Sequence, residues 1–127
     1  MDSGALILLE GGDERMRALL ARAQAAGAEI AVPAGVVAQT WRGGPRMARI
    51  SRLLSDDRVE TVAMDGPIAR AVGLLSARSG HADVVDVSVA LCAAERGHAV
   101  VTTDPDDFAA IDPGLQLITP PGRGGGR

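Results

Sequence analysis

The sequence predicts an α/β fold, one domain with a central, mostly parallel sheet flanked by helices. Three observations lead there. Short aliphatic runs alternate with stretches of helical periodicity along the chain, and strands separated by helices need right-handed crossovers between parallel neighbours. At 127 residues the chain has room for a single core. Apolar residues make up 46%, yet Trp41 and Phe108 are the only aromatics, so Leu, Val, Ile and Ala must fill that core, as they do between helices and a buried parallel sheet.

Taken in order, Ser3 to Glu10 reads as a short helix stopped by Gly11-Gly12. Asp13 caps a second helix whose Met16, Leu19, Leu20 and Ala23 fall at helical spacing, and Gly27 closes it. Ala28 to Val32 is a strand, Pro33 opens a helix to about Trp41, and Gly43-Gly44-Pro45 interrupts the chain. From Arg46 to about Ser55 another helix carries an apolar stripe (Met47, Ile50, Leu53, Leu54) and a basic one (Arg46, Arg49, Arg52). Val59 to Ala63 is a strand, and a helix runs from Pro67 to about Arg78. Ala82 to Arg96 alternates partly as a strand would, but its length, its alanines and its Gly97 stop favour helix. His98 to Thr102 is a strand, Pro105 to Ala110 a short helix and Leu115 to Ile118 a last strand. The domain thus spans 1–118, and Thr119 to Arg127, rich in Gly and Pro, reads as a disordered tail.

Several function classes fall away on composition. All 13 basic residues are Arg, which removes the P-loop lysine and the lysine of acid-pocket phosphatases. A net charge of −3 disfavours non-specific coating of nucleic acid, so phosphate contact needs a local patch. The single Cys92 supports neither a disulfide nor a thiolate cage and reads as core. No signal peptide or membrane span is apparent, and a cytoplasmic protein is the default expectation.

What remains is a set of carboxylates where the backbone turns into helices: Asp2, Asp83, Asp86, Asp104, Asp106 and Asp107. Asp86 is the most telling, because it sits in an almost wholly apolar segment, too deep for a cap, with Arg78 and Arg96 as the nearest basic side chains in sequence. It needs a metal, a distant arginine or a shifted pKa. The others have simpler roles open to them: Asp2 and Asp104 can cap helices, Asp83 sits in a first turn, and Asp106 and Asp107 suit a helix dipole. In parallel sheets sites form at the carboxyl ends of strands, where Asp104 falls directly after one. Asp2 would end another, but a strand takes about five residues and only Met1 precedes it, so the expectation is a truncated first strand and a true start upstream.

Asp2-Ser3-Gly4-Ala5-Leu6-Ile7, the segment from Asp86 to Gly97, and Val100-Val101-Thr102-Thr103-Asp104-Pro105-Asp106-Asp107-Phe108 together resemble the signature segments of PIN-domain ribonucleases, with VapC-type toxins as the nearest kind. The resemblance covers nearly the whole chain in order. It implies divalent-metal-dependent cleavage of RNA, frequent homodimers and a cognate antitoxin as partner. Carried over, the first acid falls on Asp2, the third on Asp86 and the fourth on Asp104, with Asp107 before the family phenylalanine, here Phe108. Gln39 stands where the family usually has glutamate. Glutamine offers a carbonyl oxygen but no charge, and Asp83, three residues before Asp86, is the candidate to compensate.

The expected chemistry is that of Mg²⁺ or Mn²⁺ on hard oxygens, with Asp2, Asp83, Asp86, Asp104 and Asp107 as metal ligands and Asp2, Asp86 and Asp104 converging on one ion to do the catalysis. Gln39, Arg42, Arg46 and Arg49 are the candidates for substrate contact, since Arg suits phosphate; the alternative for the arginines is a solvated helix face. His81 is assigned to the start of its helix in preference to substrate contact, and Trp41 to core or interface. Two further readings stay open: a PIN-like binding module with weakened catalysis, and, less well supported, an acid-pocket phosphatase.

Overall fold

The structure is a computed structural model that describes residues 1–120. Seven helices and four short strands alternate: α1 (Ser3–Glu10), α2 (Glu14–Ala25), β1 (Ile30–Pro33), α3 (Ala34–Thr40), a 3₁₀ turn (Pro45–Met47), α4 (Ala48–Leu54), β2 (Val59–Val62), α5 (Gly66–Ser79), α6 (Val84–Arg96), β3 (Val100–Val101), α7 (Pro105–Ile111) and β4 (Leu117–Ile118). Local signals set most helix ends. Asp2, Asp13, Asp65 and Asp83 each cap a helix through the side chain, and Gly97, at φ 67°, ends α6 in the left-handed conformation that glycine takes without strain.

The strands form two parallel pairs, β1 with β2 and β3 with β4. What joins them is the chain's own beginning. The Met1 nitrogen donates to the Ala31 carbonyl of β1 (3.3 Å), and Asp2 N–H donates to the Val101 carbonyl of β3 (3.0 Å). Met1 and Asp2 therefore act as a two-residue central strand, and the order across the molecule is β2, β1, residues 1–2, β3, β4. Both pairs are parallel, as the sequence predicts.

One apolar core spans these layers, including Leu6, Val32, Val36, Ile50, Val87, Val100 and Phe108. Helix α1 packs on α2, α3 and α4, while α6 packs on β1, α3, α5 and α7. The expected boundaries need correction in five places. Helix α6 begins at Val84 and leaves Asp83 outside as its cap; α5 begins one residue before Pro67. Pro33 belongs to β1, at its carboxyl end, where no further ladder bond is required of it. β3 and β4 hold two residues each, because ladder pairing ends where the partner strand ends. The single helix expected from Arg46 divides into the 3₁₀ turn and α4, so its arginines do not share one regular stripe. Of the expected tail, Pro120 is buried, and residues 121–127 lie outside the described residues.

Candidate active site

The carboxyl ends of the strand layer carry the acids. Asp2, the second residue of the Met1–Asp2 stub, is 4% exposed. One of its oxygens accepts the Ala5 N–H (2.9 Å), which caps α1, and the other accepts the Thr102 hydroxyl at the end of β3. A charged carboxylate is tolerable at that depth only with such partners. Thr102 is itself fully buried, and its oxygen also accepts the Asp104 N–H (2.8 Å). One hydroxyl thus links the first predicted acid to the segment bearing the fourth. The start of α1 lies so close to this loop that a Cβ on Gly4 would displace the Thr103 hydroxyl.

Asp104 occupies the N-cap position of α7, with Pro105 following it, yet its side chain makes no capping bond and is exposed. The capping role open to it is not taken up. Asp106 and Asp107 are exposed in the first turn of α7. Asp83, by contrast, is engaged: its Oδ1 accepts the N–H groups of Val85 (3.0 Å) and Asp86 (3.2 Å).

Asp86 is half-buried and has no arginine. Arg96 turns instead to Glu60 (3.4 Å), and the group facing Asp86 is the His81 imidazole, Nε2 to Oδ2 3.5 Å. Burial raises the Asp86 pKa first, then the charge of Asp83; the His81 hydrogen bond pulls it down, and Asp2 adds a further upward push. Asp2 and Asp86, far apart in sequence, thus repel one another. Gln39, exposed on α3, accepts a hydrogen bond from the Ser3 hydroxyl, which places it beside the residue following Asp2.

Convergence stops short of a closed cage. Among the described residues no three His, Cys, Asp or Glu side chains are gathered closely enough to hold a metal ion. In this structure Asp2, Asp86 and Asp104 form a looser acidic end: Asp2 held by two hydrogen bonds, Asp86 within its field, Asp104 tethered through Thr102. In chemical type the donors still suit a hard cation, being oxygens crowded with like charge and lacking a basic partner other than His81.

The basic candidates separate. The Arg46 guanidinium pairs with Glu10 (2.8 Å) and Arg49 Nη1 donates to the Glu10 carbonyl (3.1 Å), so both bind the end of α1 away from Asp2. Arg42, exposed just beyond α3, donates only to local carbonyls of Trp41 and Ala38. Trp41 is 41% exposed and is not core.

Thr102 and His81 are the residues that sequence reasoning passed over or ranked low. For Thr102 a signal existed: a hydroxyl ending an aliphatic run, two residues before an aspartate. For His81 there was only its nearness to Asp86, because a loop conformation decides where the ring points.

Compared with known families, residues 1–113 match the family model described as PIN domain. Neither the curated proteins nor the solved structures contain a match.

Proposed function

From the premise that this chain belongs to the PIN-domain family, a fold of nucleases that generally depend on metal ions, we propose that it is a Mg²⁺-dependent endoribonuclease, the toxin of a toxin–antitoxin pair. The observation that carries this reading is the linkage of Asp2, Thr102 and Asp104 at the carboxyl ends of the strands, with Asp86 close enough to feel the charge of Asp2. Asp2, Asp86 and Asp104 would hold the ion, and Asp107 and Asp83 add negative field beside it. When bound, Mg²⁺ (or Mn²⁺) supplies activation of a water and charge stabilisation at the phosphodiester.

The chain's own residues do the rest. Thr102 fixes the rotamer of Asp2 and the backbone of Asp104, so that part of the ligand set is ordered beforehand. His81 holds Asp86 by one edge. Ser3 and Gln39 present neutral donors and acceptors beside Asp2, suited to sugar or phosphate oxygens. Arg42, exposed just beyond α3, takes the phosphate-steering role; Arg46 and Arg49 are assigned to holding the end of α1. With two aromatics in the chain, RNA is recognised by shape and backbone more than by stacking. Exposed Ile7, Trp41, Leu74 and Val84 offer apolar surface for an antitoxin or a second copy in a homodimer. No helix among the described residues is long and apolar enough to cross a membrane, in keeping with action on RNA in the cytoplasm.

A second reading, a binding module with weakened catalysis, draws on the neutral Gln39 and the open spacing of the acids. Incubating the protein with structured RNA and Mg²⁺ separates the two. The nuclease reading expects cleavage that EDTA stops and that falls at least ~100-fold in Asp86→Asn, as when a group acting on the transition state is lost. RNA bound but left intact would replace it with the module reading.

A further inference from the structure

Ser3 of α1 and Gln39 of α3 are joined by one hydrogen bond, in which the Ser3 hydroxyl donates to Oε1 of Gln39. That bond fixes what each group has left to offer. Ser3 has committed its only hydroxyl proton and keeps oxygen lone pairs, so it can still accept. Gln39 has its carbonyl engaged and keeps both Nε2 protons, so it can still donate. Among the described residues neither side chain makes another hydrogen bond; Gln39 is exposed and Ser3 half-buried. If the amide turned over, the two would exchange roles, and one donor and one acceptor would again stand side by side.

Three kinds of partner could meet such a pair next to Asp2, and its chemistry separates them. A cation needs oxygen lone pairs, and the Gln39 carbonyl already takes a proton. A phosphate oxygen accepts and has no proton to give, so it would satisfy Gln39 and set an acceptor against the Ser3 oxygen. A hydroxyl donates and accepts, and it satisfies both members at once. It also carries no charge, as a neutral pair requires. RNA has such a group on every sugar, and DNA lacks it.

We propose that Ser3 and Gln39 together bind a ribose 2′-hydroxyl, and that this pair makes the protein favour RNA over DNA. Gln39 Nε2 donates to the hydroxyl oxygen, and the hydroxyl donates to Ser3 Oγ. The proposal rests on the reading of Asp2 as part of a nuclease site, which brings a sugar to this place. It adds which sugar the site takes, and it makes Gln39 a reader of substrate.

The test uses two fluorescein-labelled hairpins of one base sequence, one entirely ribose and one with deoxyribose in the loop nucleotides, bound in EDTA so that neither is cut. Fluorescence anisotropy is expected to show the ribose loop bound about 10-fold more tightly, as two neutral hydrogen bonds allow. Ser3→Ala and Gln39→Ala should each reduce that preference to about 3-fold or less, and the double variant should do little more than either, since the two act as one unit. Ser3→Thr keeps the hydroxyl and should keep the preference. Gln39 is exposed, so its replacement leaves the core untouched and the test does not depend on Ser3 variants alone. Equal affinity of the parent for both hairpins, a preference indifferent to both alanine substitutions, or an equal weakening toward both hairpins would overturn the proposal. So would failure to bind either hairpin. Ribose preference without any Mg²⁺-dependent cleavage would end the nuclease reading and leave this one standing; cleavage with a preference that ignores Ser3 and Gln39 would do the reverse.

Discussion

The two sides of the Met1–Asp2 stub are built on opposite terms. Toward the carboxyl ends, the Asp2 carboxylate finds both its partners, the Ala5 N–H and the Thr102 hydroxyl, within elements that fold around it. Toward the amino side, the Met1 amine lies among aliphatic side chains with one carbonyl as its partner. The contrast teaches that two residues are enough to station a charged group, whose energy comes from a few directed bonds. The apolar contacts beside Met1 act differently, with an energy that scales with the area covered.

The largest expected effect that sharpens this contrast is at Thr102. Thr102→Val keeps the shape but leaves a buried Asp2 oxygen and the Asp104 N–H short of a partner, and should cost about 1–3 kcal/mol by urea denaturation. Thr102→Ser keeps the hydroxyl and should lose less. A valine variant as stable as the parent would mean that the acid side is not held by directed bonds at all.

Next comes the difference between a carboxylate that caps and one that does not. Asp13 accepts the Met16 N–H (2.9 Å) at the start of α2, so Asp13→Ala should cost about 1 kcal/mol. Asp104 makes no such bond, and Asp104→Ala should stay within about 0.5 kcal/mol while abolishing cleavage. Comparable losses of stability at both positions would remove the reason for setting Asp104 apart.

The smallest expected effect is a pH dependence centred on Asp86. Its native pKa is raised, by burial and then by Asp83, above the ordinary 3.8. Between those two values the native state binds more protons than the unfolded chain, so stability falls as pH rises through that interval. Asp86→Asn should flatten that part of the urea-midpoint profile. Added Mg²⁺ should offset the fall in the parent and not in the variant.

Much of the fold was legible in the chain because its signals are local. The span of α1 from Ser3 to Glu10, the Asp13 cap and the Gly97 stop depend on groups within one turn of each other. Alternation of strand and helix gave the parallel arrangement, and the family match over residues 1–113 agrees with the resemblance carried by the Asp2, Asp86 and Asp104 segments. The arginine row was less legible. Arg46 and Arg49 are exposed, as a solvated helix face would be, but Glu10, 36 and 39 residues away, also takes both. Asp83 shares a helix spacing with Asp86, but the hydrogen-bond demand of the helix end claims its carboxylate first.

By itself, the order of residues determined the kinds of groups this protein has to work with: hard oxygen donors, no lysine, an aliphatic core and one domain to hold them. Tertiary structure decided which of them meet. The hydroxyl of Thr102 reaches Asp2 across 100 positions of sequence, and His81 reaches Asp86 only because a loop turns it there. Periodicity and capping act over a few residues and leave a trace in the string, whereas a pairing between distant side chains follows from how packed layers bring their ends together.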